Sequence, residues 1–169
     1  VARKPKQIMH IAVDTREQKP YKFKKTVKPS NGIEFDIERT TLQTGDYGLV
    51  KPMLAETSDL IALERKSLAD LFSTVSQGRF RFENEMKRMT QYGYAAIIIE
   101  ADFAMMCNPN AYLKWPTGMD TKSMFATLIA FSTRYNVHLW PCPTREFAEA
   151  VTYRLLERWF RDHTDIFIP

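Results

Sequence analysis

The chain predicts an α/β fold of three layers, with helices on both sides of a central mixed β-sheet. Three observations carry this. The first sixty or so residues read as strands and turns, whereas strand and helix alternate in the rest. Ala95–Ile99 is an unbroken apolar run, as expected for a strand buried on both faces. The later helical segments carry apolar residues at helical spacing.

In order, Ile8–Asp14 is an apolar strand that ends in an acid. Lys19–Asn31 is basic and polar, with two prolines and a Ser-Asn-Gly turn, and reads as a loop or short helix. Ile33, Phe35 and Ile37 alternate with Glu34, Asp36 and Glu38, a half-buried strand with one wet face. Asp46–Val50 begins a further strand, and Lys51–Asp59 turns into the strand Leu60–Lys66, so the pair reads as a hairpin with a long loop. Ser67 is placed to cap a helix, with Asp70 completing a capping-box-like pattern. Leu68, Leu71, Phe72 and Val75 form its apolar stripe, and Gln77-Gly78 ends it. A second helix runs from about Arg79 to Tyr92 with Phe82, Met86 and Met89 inward. Phe103–Gly118 reads as irregular. Thr121–Tyr135 is a helix with a broad stripe of Met124, Phe125, Leu128, Ile129 and Phe131. Val137–Trp140 is a short strand, and Pro141–Thr144 opens a last helix to about His163.

Composition is that of an ordinary globular domain, with 44% hydrophobic and 26% charged residues. At 169 residues it reads as one domain, 1–169, with residues 1–7 as a flexible basic arm. No apolar stretch is long enough to span a bilayer and no signal peptide pattern opens the chain, so no membrane partner is expected. Cys107 and Cys142 lack metal-ligand spacing, and reduced thiols fit an intracellular protein of the cytoplasm, nucleoid or nucleus. His10, His138 and His163 are scattered and do not resemble a zinc site. Net charge is +4, too mild to establish a nucleic-acid partner by itself. Lysines and arginines crowd the first 28 residues, where they can lie along phosphates. The simplest reading of Arg3–Lys6 is nevertheless a solvated terminus.

The chemistry concentrates in Leu60–Asp70. Alternation along a strand puts Glu64 and Lys66 on one face and Arg65 on the other. A carboxylate and an ammonium at the end of a buried strand are expensive unless something binds there. A divalent metal suits the Glu, and an attacking water or a phosphate suits the Lys. Taken alone, an E-x-K triplet is more often a structural ion pair.

The neighbouring motifs change that balance. Asp14-Thr15-Arg16-Glu17, Gly45-Asp46-Tyr47, Glu64-Arg65-Lys66 with Asp70, and Gln77-Gly78-Arg79-Phe80 occur in this order. The set resembles the nuclease domain of the XPF/Hef family of structure-specific endonucleases, whose signature is GD, a variable gap, then ERKxxxD. The resemblance runs from about residue 8 to about 100 and more weakly to about 160. It implies the restriction-endonuclease-like fold and a metal-dependent DNA endonuclease acting in repair, recombination or replication. The expected substrate is branched or single-strand/duplex junction DNA, such as a fork or flap. It assigns Asp46 and Glu64 as ligands of Mg²⁺ or Mn²⁺, with the Arg65 carbonyl as a third. Asp14, ending a neighbouring strand, is expected to add another metal carboxylate. Lys66 is expected to hold the attacking water or the charge developing on phosphate. Asp70 supports the site, although capping alone explains it. Arg16, Arg79 and Arg81 are expected DNA contacts, and Arg65, on the strand face opposite Glu64, is expected to stabilise the fold or meet DNA. The last glycine is Gly118, so no helix-hairpin-helix module is expected after it. The family dimerises through its nuclease domains, and the stripe Phe147, Val151, Leu155 and Trp159 is broad. A homodimer, or a heterodimer with a related chain, is therefore expected. Two other readings stay open: a non-catalytic DNA-binding or partner subunit, and a nuclease of the same fold acting on plain duplex or single strands.

Overall fold

The structure is a computed structural model that describes residues 7–23 and 32–168. Residues 1–6 of the expected arm and the basic stretch 24–31 lie outside the described residues; Gln7 already begins the first strand. Six strands form one sheet: β1 (Gln7–Asp14), β2 (Ile33–Thr40), β3 (Tyr47–Leu49), β4 (Ile61–Ser67), β5 (Tyr94–Glu100) and β6 (His138–Pro141). Their order is β2-β1-β3-β4-β5-β6. β3 is antiparallel to β1 and β4, and the other pairings are parallel, so the sheet is mixed as expected. The β3–β4 hairpin is present, and its loop holds one short turn of helix at Thr57–Asp59.

The helices are α1 (Leu68–Ser76), α2 (Arg79–Met89), α3 (Phe103–Cys107), α4 (Thr121–Tyr135), α5 (Arg145–Asp162) and α6 (Thr164–Phe167). Alternation along β4 and β5 divides the core in two. Ala62, Ala95, Ile97 and Ile99 pack under α1, α2 and α4. Ile61, Leu63, Ala96 and Ile98 face α5 through Ala148, Tyr153, Leu156 and Phe160. Glu64 and Lys66 therefore belong to the α1–α2 side, and Arg65 to the α5 side.

Several expectations shift. The stretch 103–118 is not wholly irregular, because Asp102 caps α3 by accepting from the Met105 amide. The second helix stops at Met89, short of Tyr92. On α4, Met124, Leu128 and Phe131 are buried, but Ile129 is 60% exposed and stands outside the core. On α5 the buried row is Ala148, Thr152, Leu156 and Phe160. The row Phe147, Val151, Leu155 and Trp159 is only half covered, with Phe147 52% exposed.

Candidate active site

β4 carries Glu64 and Lys66 to the edge of a cleft of about 870 Å³ roofed by α1 and α2. Asp46 reaches the same place from the residue before β3. The β3–β4 register pairs Tyr47 with Leu63, which sets Asp46 beside Glu64. Gly45 makes this approach possible. Its φ is +77°, and a Cβ there would stand 3.1 Å from the Leu63 carbonyl oxygen. The Asp46 amide donates to the Leu63 carbonyl at 2.8 Å, and the Asp46 carbonyl accepts from the Asp14 amide at 2.9 Å. The Arg65 amide donates to Asp46 Oδ2 at 2.8 Å. Asp46 is thus fixed to the strand on each side of it.

The two acids are poorly compensated. Glu64 is 5% exposed, and its Oε1 accepts from Lys66 Nζ. Burial pushes the Glu64 carboxyl well above its ordinary range; Asp46 and Glu85 add to that, and Lys66 opposes it. Burial likewise pushes Asp46 up to about 6, with Glu17 and Glu85 adding and the Arg65 amide and Lys66 opposing. Lys66 is held above its usual pKa: burial works against the charge, and the carboxylates of Glu64, Glu85 and Asp46 outweigh it. The Lys66 ammonium also lies 5.2 Å from the centre of the Phe82 ring.

The other expected residues divide. Arg81 lines the cleft, as do Asp70 and Arg16. Asp70 is engaged in capping, since Ser67 Oγ donates to its Oδ2 at 2.6 Å and accepts from its amide. Arg79 is not part of the lining, and its guanidinium lies 5.9 Å from the centre of the Phe131 ring.

Two expected site residues are held by partners within the protein. Asp14 lines the same cleft as Asp46 and Glu64, but its oxygens are taken up by hydrogen bonds. Its Oδ1 accepts from the amide and Nε of Arg16 at 2.8 and 2.7 Å, and its Oδ2 from Arg16 Nη2 and the Leu42 amide at 2.9 and 2.8 Å. Burial alone would raise its carboxyl, but these donors outweigh burial and lower it. Among the described residues no three His, Cys, Asp or Glu side chains converge on a metal position. Arg65 is held in the same way. Its side chain is 9% exposed and grips Glu100 with Nε–Oε1 2.7 Å and Nη2–Oε2 2.8 Å, with Glu17 at 3.6 Å.

Four residues without an expected site role belong to the site or its support. Glu85 and Arg88 line the cleft with Arg81. Their spacing of four and seven residues along one helix was the available signal. Glu100 and Arg145 form the cluster behind the sheet, and Tyr21 donates to Glu100 there at 2.9 Å. No local pattern marks them, because they meet Arg65 from distant elements.

The cleft suits a hard divalent cation. Asp46 Oδ1 and Glu64 Oε2 accept no hydrogen bond among the described residues. Two adjacent carboxylates with unmatched charge are a fitting donor set for Mg²⁺ or Mn²⁺, which take oxygen ligands and keep several waters.

A mixed sheet with helices on both faces and this cleft at its strand ends defines the restriction-endonuclease-like α/β class. The structure is similar to that of XPF from Aeropyrum pernix, with a TM-score of 0.62 at 21% identity over 93% of this chain and 68% of that one. It is also similar to XPF from Aeropyrum pernix in complex with DNA, with a TM-score of 0.58 at 19% identity over 91% and 66% of the two chains. A search of curated protein sequences finds no match. The family model described as ERCC4 domain matches residues 13–155, and the chain belongs to that family. It is a nuclease domain of the XPF type. Among the described residues no helix is long and apolar enough to cross a membrane.

Proposed function

We propose that this domain is a DNA endonuclease that hydrolyses phosphodiester bonds at branched or single-strand/duplex junctions, with Mg²⁺ or Mn²⁺ held by Asp46 and Glu64. The observation that carries this reading is the pair of under-compensated carboxylates beside Lys66, in a cleft also lined by Arg81 and Arg88. When bound, the ion would neutralise charge on the scissile phosphate and make water a stronger acid. Lys66 is placed to donate to the attacking water or to a phosphate oxygen as negative charge builds there. Arg81 and Arg88 hold flanking phosphates without reading bases. Arg16, partly committed to Asp14, keeps a 67% exposed side chain at the rim. The junction preference rests on the family resemblance and on the cleft lying open between sheet and helices.

The chain would act as a homodimer or with a related chain, burying the exposed Phe147 on α5 and Ile129 on α4. A single domain over 1–169 is part of the same reading. The test is cleavage of fork, flap, bubble, nicked, duplex and single-stranded DNAs in Mg²⁺ or Mn²⁺. Junction-directed cutting that disappears with Asp46→Ala is the expected result. Absence of cutting with either ion on every substrate would return the domain to a non-catalytic DNA-binding or partner role.

A further inference from the structure

Lys66 holds one of the two oxygens of Glu64. Its ammonium takes Glu64 Oε1, an oxygen on one of the two carboxylates that suit a divalent ion. Glu64 Oε2 carries no hydrogen bond among the described residues, and an ion that takes both Glu64 oxygens displaces Lys66 from this contact. A lysine released into a half-buried cleft with no other anion to meet would be costly, and would hold on to Glu64 instead.

Helix α2 offers such an anion. Phe82, which carries the Lys66 ammonium on its face, is followed three positions later by Glu85, on the same flank of the helix. Glu85 lines the cleft together with Glu64, Lys66 and Asp46. It is half-buried, and among the described residues it makes no hydrogen bond or ion pair. Arg81 and Arg88 flank it on its own helix, and neither pairs with it. Its charge acts on Lys66, Glu64, Asp46 and Arg16.

We infer that Glu85 is a positioning residue for Lys66: it receives the ammonium when Glu64 turns from Lys66 to the divalent cation. Lys66 then stays in the cleft, between Phe82 and Glu85, ready to meet water or phosphate. The inference rests on the metal reading of Asp46 and Glu64 given above. It goes beyond that reading by giving the exchange of partners a receiving group.

The test is calorimetric titration of the DNA-free protein with Mn²⁺, for wild type, Glu85→Gln, Lys66→Met and the double variant. Glu85→Gln is expected to weaken binding by about tenfold to hundredfold, the range for groups that support metal ligands indirectly. In the Lys66→Met background the same substitution is expected to change affinity by less than about threefold, because the competing ammonium is gone. The Lys66 ammonium signal in NMR should shift on Mn²⁺-mimicking Mg²⁺ addition in wild type, and should stay in place in Glu85→Gln. An undiminished affinity of Glu85→Gln would overturn the inference. So would an equal loss with and without Lys66, which would make Glu85 act on the ion directly. Asp46→Asn and Glu64→Gln separate this from failure of the site itself: if both bind Mn²⁺ like wild type, the metal reading is wrong.

Discussion

Consecutive residues of β4 build two electrostatic clusters of opposite character. On the α1–α2 side, Glu64, Asp46 and Lys66 leave negative charge unmatched, and the carboxyls are pushed up. On the α5 side, Arg65 and Arg145 converge on Glu100 at 2.7 and 2.6 Å, Tyr21 donates to the same oxygen, and Glu17 takes the remaining face of Arg65. Burial alone would raise Glu100, yet Arg65, Tyr21 and Arg145 together hold it below its usual range. The ingredients are the same; the difference is compensation. The rear cluster is complete within the chain and holds the segment around Glu17 and Tyr21 to the sheet. The front cluster is incomplete, which is the state expected of a site that awaits a cation and a phosphate.

Removing one front acid tests the contrast most severely. Asp46→Ala or Glu64→Ala is expected to slow cleavage by about a thousandfold or more, about 4 kcal/mol of transition-state stabilisation. The thermal midpoint of the metal-free variants should hold or rise, since a repelling carboxylate has gone. A variant that unfolds, or cuts at the wild-type rate, would break the comparison.

The rear cluster should respond in the opposite sense. Glu100→Ala leaves two arginines without their shared anion and is expected to cost about 3 kcal/mol in urea unfolding. A neutral result would show that water already reaches Arg65.

The pH dependence sharpens the difference. Asp46 titrates near 3.8 as a free group and at about 6 in the fold. Over that interval the folded state keeps a proton that the unfolded chain has lost. Metal-free wild type should therefore lose about 2 kcal/mol relative to Asp46→Asn as pH rises from about 4 to about 6, with a small remainder lost over about the next pH unit. Glu100 has the reverse sign: its contribution is present above the free carboxyl range and is lost as pH falls through its lowered pKa. Chemical denaturation of wild type, Asp46→Asn and Glu100→Gln across this range would separate the two.

The smallest effect lies at the cleft wall. Arg81→Ala and Arg88→Ala should each weaken DNA binding alike for all sequences and flatten the salt slope by about one. Fluorescence anisotropy across a salt series measures this, and a sequence-dependent loss would mean that these side chains read bases.

Much of the fold was legible because it follows from local periodicity. The strand alternation that separates Glu64 and Lys66 from Arg65 is a property of extended backbone, as are the apolar stripes of α1 and α2 and the Ser67 cap. Gly45 before Asp46, with a φ of +77°, stands where a side chain would crowd the Leu63 carbonyl. The ordered motifs then brought Asp46 and Glu64 to one site, although nothing local says that residues 18 positions apart in sequence are neighbours.

What only the tertiary structure decided is which partner each charge meets. Asp14 ends its strand as expected, yet the turn back through Arg16 and the approach of Leu42 fill both its oxygens. Arg65 points away from Glu64 as alternation requires, but only the parallel neighbour β5 and helix α5 reveal that Glu100 and Arg145 close over it. Glu85 and Arg88 became part of the cleft through the packing of α2 on the sheet by Phe82 and Met86. Backbone period is set by bonds between adjacent residues and can be read along the chain. Charge compensation depends on burial and on through-space neighbours from distant segments, and those exist only once the sheet register and the helix packing are in place.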